Sequence, residues 1–406
     1  MLVRSIIVSF FLFALVKTSY AESPSPQTDQ ELWVTFGSDI APFLNEKFGA
    51  RIESFKSFDE ITMARVEEDM IPWMSLLIHR EFQRCGGFIV HDDFTSAQES
   101  LLDYSSRDFA KSAIFVDYDI RQRRLVERGF EKLQEERITQ FIKTFSEFHN
   151  RYYTSETGVQ AMHWLKNEWE QIVAHRSDVD VYFWEHDNWP QPSVILRIEG
   201  AVNPQEKIVV GGHADSIAGW FGQSRSRAPG ADDNASGIGT TTEIIRAISE
   251  MNFRPARTLY FMAYAAEEVG LRGSREIANQ MAAEDKQILG VLQLDMTNYN
   301  GSDWDMVMMS DFTNSEQNRF LGALLDAYQP EVSWGYDRCG YACSDHASWH
   351  QAGFPASMPF ETRTRERNPH IHTARDTIER SGGSSHHAMN FARLGLSYVL
   401  ELSAQD

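Results

Sequence analysis

The residues able to do chemistry in this chain are histidines and carboxylates that directly follow short apolar runs. K-I-V-V-G-G leads into His213-Ala214-Asp215, T-L-Y-F-M-A-Y-A-A into Glu267-Glu268, and V-L-Q-L into Asp295. Between the first two lies Pro229-Gly230-Ala231-Asp232-Asp233-Asn234, which opens a helical stretch. In open α/β sheets, ligands bind beyond the carboxyl ends of the strands. Three strand ends and one loop would thus deliver histidine and carboxylates to a single rim. Carboxylates crowded in one crevice repel each other unless a cation neutralises them. Nitrogen and oxygen ligands without thiolate suit zinc or a similar divalent ion. The groups exceed what one ion needs, so two ions sharing a bridging carboxylate are expected, about 3.5–4 Å apart. A carboxylate that binds no metal is then free to act as a general base, and the pair Glu267-Glu268 offers one residue for each task.

Each of these signals has an ordinary reading beside the functional one. A Glu-Glu pair can start a solvated helix, and His213 can be a satisfied core histidine. Asp232-Asp233 can cap the helix that follows, and Asp295 can cap a turn. Their joint placement at strand ends carries the functional reading. Other chemistries find no support: the sequence holds no G-x-S-x-G, H-E-x-x-H, G-x-x-x-x-G-K-[ST] or G-x-G-x-x-G. Ser344-Asp345-His346 are consecutive and cannot converge as a hydrolytic triad does, so they read as a helix start. His370 and His372 alternate in an irregular stretch, and one of them can reach the metals.

The elements that position these residues follow from periodicity. Helical spacing predicts helices over Ile138–Phe148, Gly158–Ala174, Gly237–Met251, Gly270–Ala283, Ser315–Tyr328 and Ala388–Leu402. Val181–Trp184, Ser193–Ile198, Lys207–Gly211, Thr258–Ala266, Gly290–Leu294 and Asp305–Met309 read as strands, several of them buried on both faces. Apolar strands alternating with helices predict an α/β fold with a mostly parallel sheet covered on both sides. The chain of 406 residues carries 38 basic and 58 acidic side chains, a net charge of −20. Such a surface repels phosphate backbones and anionic lipids, so nucleic-acid and membrane partners are not expected.

The N-terminus has the layout of a secretory signal: Arg4, an apolar run Ser5–Val16, then Ser19 and Ala21 at a cleavage pattern. An amphipathic or membrane-anchoring helix is the alternative. Residues 22–116 lack the later strand–turn–helix alternation, and a basic cluster follows at Arg121, Arg123, Arg124 and Arg128. They are either a small domain or a pro-segment removed after export. Cutting before the cluster would remove Cys85 and leave the even pair Cys339 and Cys343.

The runs G-G-H-A-D-S, A-P-G-A-D-D-N-A-S-G, F-M-A-Y-A-A-E-E-V-G-L-R-G-S and L-Q-L-D-M-T-N-Y resemble the M28 di-zinc aminopeptidases. C-G-Y-A-C-S-D-H-A-S-W-H and N-P-H-I-H-T-A-R-D-T resemble their secreted bacterial leucyl, Vibrio-type subgroup. The likeness runs from about Ile138 to about Ser403. It implies a three-layer α/β/α zinc-exopeptidase (phosphorylase/hydrolase-like) fold over residues 117–406, behind a signal peptide (1–21) and a pro-segment (22–116). It implies two zinc ions per chain, with His213 and Asp295 on one, Glu268 and His372 on the other, and Asp233 bridging both ahead of a cis peptide to Asn234. Glu267 would be the general base for a metal-bound hydroxide, and Asp215 would orient His213. Tyr341 would lie near the substrate carbonyl, in a loop closed by a Cys339–Cys343 disulfide. Met296, Met358, Phe360 and Ile371 would line the pocket for the first side chain. Relatives carry aromatic rings where this chain has Thr364 and Arg367, within the charged segment Thr362–Arg367, which is either a solvated loop or the wall of a wider or more polar pocket. The substrate would be peptide or protein N-termini and the enzyme a secreted monomer. A carboxypeptidase of the same fold and a non-catalytic binding protein are the alternatives. The first needs a cationic group for the substrate carboxylate, and the second predicts missing ligands.

Overall fold

The computed structural model describes residues 31–82, 84, 87–105, 116, 118–219 and 223–404. The expected signal peptide and Cys85 lie outside the described residues. Among those described, no helix is long and apolar enough to cross a membrane.

Residues 31–105 do alternate strands and helices, contrary to expectation: β1 (Glu31–Gly37), α1 (Ala41–Phe48), β2 (Ile52–Phe58), β3 (Ile61–Glu67), α2 (Ile71–Phe82), β4 (Phe88–His91) and α3 (Phe94–Ser105). The strands form an antiparallel sheet in the order β2-β3-β1-β4. One face packs Leu32, Val34 and Phe36 against Met70, Met74 and Ile78, and the other packs Ile61 and Met63 against Ala97 and Leu101. The apolar alternation is there in the sequence. Charged residues on the solvent sides of these strands break the continuous runs that mark the later ones.

The rest is the expected layered α/β unit. It comprises α4 (Arg123–Phe130), α5 (Glu135–Phe145), α6 (Glu156–Val173), β5 (Val179–Trp184), β6 (Ser193–Ile198), β7 (Asn203–His213), α7 (Gly237–Glu250), β8 (Arg257–Tyr264), α8 (Arg272–Ala283) and β9 (Gln287–Gln293). There follow β10 (Met306–Met309), α9 (Ser315–Tyr328), β11 (Trp334–Asp337), α10 (His346–Gln351), β12 (Ala356–Ser357), β13 (Pro359–Phe360) and α11 (Ala388–Ser403). The central sheet runs β12-β9-β7-β8-β6-β5. It is parallel from β12 to β8 and antiparallel through β6 and β5.

Strand β8 shows how the layers arise. Leu259, Phe261 and Ala263 face a core shared with α5, α6, α7, α9 and α11, while Tyr260, Met262 and Tyr264 face α8 and α10. Successive strand side chains point to opposite faces, so an uninterrupted apolar run demands helices on both. The run Asp305–Met309 is not part of this sheet. Its strand β10 pairs instead with β11 and β13 in a separate three-stranded sheet, which places Met358 and Phe360 beside the functional loops. His346 begins α10 right after Asp345, as the helix-start reading of that triplet requires.

Candidate metal centre

The loops at the carboxyl ends of β7, β8 and β9 meet the segments Ala231–Ser236 and Asn368–Asp376. There the two Asp233 carboxylate oxygens face different histidines. His213 Nε2 is 3.0 Å from Oδ1, and His372 Nε2 is 2.8 Å from Oδ2. His213 Nε2 also lies 3.4 Å from Asp295 Oδ1, and His372 Nε2 lies 3.1 Å from Glu268 Oε2. Glu267 closes a further group with His213 and Glu268, whose ligand atoms all lie within 4.8 Å of one another. His213, Asp233, Glu267, Glu268 and Asp295 are at most 2% exposed. All five expected ligands and the expected base therefore converge. His370 lies outside the cluster, half-buried, and its backbone N–H donates to Asn368 Oδ1.

The backbone is bent to bring this about. Ala266, Met296 and His372 have φ of 57°, 55° and 55°, a left-handed conformation that costs a side-chain-bearing residue about 1–2 kcal/mol. Each lies next to or within the ligand set. The Asp233–Asn234 peptide is cis, as expected. Asn234 Nδ2 donates to Leu294 O (3.0 Å) and His213 O (3.3 Å), while its Oδ1 accepts from Met296 N at 3.1 Å. One side chain thus ties together the ends of β7 and β9. Glycine is required beside it, because a Cβ on Gly237 would lie 2.2 Å from Leu294 O.

Asp215 accepts from the N–H groups of Glu267 and Glu268 at 3.1 and 3.2 Å, and its Oδ1 lies 3.4 Å from His213 Nδ1. Its carboxylate therefore lies beside the His213 ring and ties down the backbone of the two glutamates. Asp376 accepts from the N–H groups of Asp232 and Asp233 at 3.2 and 3.1 Å. Ser344 Oγ donates to Asp295 Oδ2 at 2.5 Å. Beneath the floor, the fully buried Arg151 donates to the carbonyls of Ala214 (2.7 Å), Pro229, Gly230 (2.8 Å) and Phe145 (3.3 Å). Sequence reasoning missed Arg151, Asn234, Asp376 and Ser344 as positioning residues. Asn234 and Asp376 stand inside motifs it did single out, whereas Arg151 has no local signal.

The electrostatics ask for cations. Burial, and then the charges of Glu268, Asp345 and Asp295, push the Glu267 carboxyl well above the usual carboxylate range. Burial would raise Asp233 too, but the His213 and His372 imidazoles hold it low. Burial pushes Asp345, behind Asp295, up to about 7. Both carboxylate oxygens of Glu267 and of Glu268, with Asp295 Oδ1 and His213 Nε2, are buried without a hydrogen bond. Buried polar atoms are rarely left so. An all-nitrogen-and-oxygen set of this kind fits divalent zinc.

Around the centre, Met296, Met358, Phe360, Ile371 and Tyr341 share one apolar cluster with Val307 and Met309. The Cys339–Cys343 disulfide closes the tyrosine loop. On the open side, a cavity of about 730 Å³ reaches His372 past Ile371, and Arg365, Arg367 and Arg375 line it. Thr364 turns away from it, with its N–H and hydroxyl on Asp337 Oδ2.

Comparison with known proteins agrees with this geometry. Residues 193–395 match peptidase family M28. A probable leucine aminopeptidase of Arthroderma benhamiae is 38% identical over 278 residues, 67% of this chain and 74% of that protein. A probable aminopeptidase of Saccharomyces cerevisiae is 31% identical over 294 residues, 70% of this chain and 78% of its own. LapB from Legionella pneumophila superposes with a TM-score of 0.77 at 29% identity, over 92% of this chain and 100% of LapB. The LapA aminopeptidase of the same organism gives 0.75 at 26% identity, over 92% of this chain and 99% of its own. The chain belongs to peptidase family M28.

Proposed function

We propose that this protein is a metallo-aminopeptidase that removes the N-terminal residue from peptides at a two-zinc centre. We propose further that it is exported behind a signal peptide as a precursor whose residues 22–116 are removed, in the manner of the secreted bacterial leucyl enzymes. The observation that carries the reading is the single Asp233 carboxylate set between His213 and His372. His213 and Asp295 would hold one zinc, Glu268 and His372 the other, and Asp233 both. Bound there, the pair would supply Lewis-acid polarisation of the scissile carbonyl and the acidity of the attacking water.

The chain's own groups do the rest. The Glu267 carboxylate takes the proton from the attacking water and returns it to the leaving amine nitrogen. Burial raises its proton affinity toward the range that this exchange requires. Asp215 keeps His213 and both glutamates in place. The Tyr341 hydroxyl flanks the substrate carbonyl, and the cluster of Met296, Met358, Phe360 and Ile371 receives the first side chain. A free α-ammonium suits a centre this rich in carboxylate and an acylated one does not, which confines cleavage to the first residue. The arginines lining the cavity support a second reading, a carboxypeptidase that binds the substrate carboxylate. Peptides blocked at one end or the other separate the two.

Glu267→Gln tests the assignment. The variant is expected to keep two zinc equivalents and to lose about 10²–10⁴-fold in kcat. Unchanged turnover would remove Glu267 as the base.

A further inference from the structure

Sequence reasoning gave residues 31–105 no part in the chemistry, yet one of their side chains lies in the centre. Helix α2 carries His79, 7% exposed, whose Nε2 is 3.4 Å from Glu268 Oε2. Its ring centroid is 3.6 Å from that of His372. A ligand atom each from His79, Glu268 and His372 lie within 4.8 Å of one another. The His79 Nδ1–H donates to the Arg84 carbonyl. With the proton on Nδ1, the neutral ring presents its lone pair at Nε2, and that atom is buried with no hydrogen-bond partner.

Resting on the metal-centre reading above, we propose that residues 31–105 are an inhibitory cap whose His79 supplies the fourth protein ligand to the zinc held by Glu268, His372 and Asp233. Zinc with four protein ligands is a closed, structural-type site, whereas a catalytic zinc keeps a position open for water or substrate. His79 converts one into the other.

The cap is built to hold that position. Ser75, one turn before His79, donates from Oγ to the carbonyl of Glu268 itself at 2.6 Å. The Val90 N–H donates to Gly270 O (3.1 Å), and Arg275 Nη1 donates to Val90 O (2.6 Å). Cap residues Met74 and Ile78 share an apolar core with Ala266 and Val269, which flank the glutamate pair. The Arg84 guanidinium lies 4.7 Å from the centre of the Tyr341 ring, so this side chain lies over the residue expected at the substrate carbonyl. Phe82 and Arg80 wall the cavity that leads to His372.

The test uses the full chain loaded with Co²⁺, as wild type and as His79→Gln. Glutamine keeps a side-chain N–H for the Arg84 carbonyl and offers no imidazole. Proton NMR of the wild type is expected to show an imidazole N–H resonance, shifted by the paramagnetic ion, that is lost in the variant. Affinity for the second Co²⁺ is expected to fall at least tenfold, while hydrolysis of a leucyl anilide by the uncut chain rises at least tenfold. His79→Ala should reproduce these shifts, and unchanged circular dichroism confirms the fold. If both proteins bind two Co²⁺ with the same resonances and the same second affinity, the His79 assignment falls and the metal centre stands. If neither binds two, the metal-centre reading fails and takes the cap's ligand with it.

Discussion

Arg151→Met removes the cation on which the floor of the centre is built. The guanidinium holds the carbonyl after His213 and the carbonyls of Pro229 and Gly230, so it fixes the loop bearing Asp233 against the strand end bearing His213. Burial pushes this guanidinium down to about 10, against the pull of Asp376, Asp215 and Asp233, so it stays charged at neutral pH. Charge-assisted hydrogen bonds contribute about 1.5–3 kcal/mol each when measured singly. Four that share one group do not add, and the guanidinium's own desolvation offsets part of them. Removing one partner of a buried ionic cluster costs about 3–5 kcal/mol, so roughly 4 kcal/mol is expected here. At roughly 2–4 °C per kcal/mol for a large domain, Tm should fall by about 10 °C. Methionine fills the stem's volume, so little of this comes from a cavity. Arg151→Lys should recover less than half, because an ammonium cannot span three diverging carbonyls. Scanning calorimetry at pH 7.5, with and without saturating zinc, measures both variants, and zinc should raise Tm less in Arg151→Met than in wild type. A Tm within about 2 °C of wild type, or full recovery with lysine, would refute the argument.

Two further outcomes follow from helices α10 and α9. Burial holds His346 down to about 3 and His350 down to about 4, both on α10, so the folded protein keeps each neutral. The unfolded chain titrates them near 6.5 and binds more protons below that, so stability is full above about pH 6.5 and is lost as pH falls toward 4. At pH 5 each contributes a loss of about 2 kcal/mol. Urea midpoints between pH 7 and 5 should fall less steeply in His350→Gln than in wild type, and parallel slopes would contradict this. Asn314 caps α9, accepting from the N–H groups of Glu316 and Gln317 at 3.0 and 2.9 Å. Asn314→Ala should cost about 1 kcal/mol in urea denaturation and leave zinc content and kcat unchanged.

How much of this was legible divides along a physical line. His213, Glu267, Glu268 and Asp295 follow directly on runs that can only be strands buried on both faces, so strand topology alone sends them to one rim. The pair at 232–233 and the histidine at 372 sit on irregular backbone, where periodicity says nothing. Residue type singled them out, but only the resemblance chose Asp233 over Asp232 and His372 over His370, and the structure places Asp233 and His372 at the same point as the strand-end residues. The strand Met306–Met309 was legible as a strand but not as a member of a second sheet, because pairing partners are set by tertiary contacts that a four-residue run does not encode. The fold of residues 31–105 escaped because an antiparallel sheet with polar outward positions gives only a period-two signal, and insertions such as the bulge between Glu53 and Lys56 blur it.

His79 and Arg151 mark where local reading ends. In I-P-W-M-S-L-L-I-H, a histidine at the end of an apolar helix face reads as core. In N-R-Y-Y, an arginine reads as surface. Both readings are right about propensity and wrong about partners. What distinguishes them is the chemistry that meets them: bare carbonyls on three chain segments for Arg151, and an acidic cluster 189 positions away for His79. Only a fold that first exposes unpaired donors and acceptors at depth can recruit a charged or ligating side chain to satisfy them, because an unmet polar group there costs more than the recruitment. The buried, unsatisfied groups of the catalytic rim therefore explain both residues. Arg151 meets the rim from below through its backbone carbonyls, and His79 approaches it from above on a helix of residues 31–105.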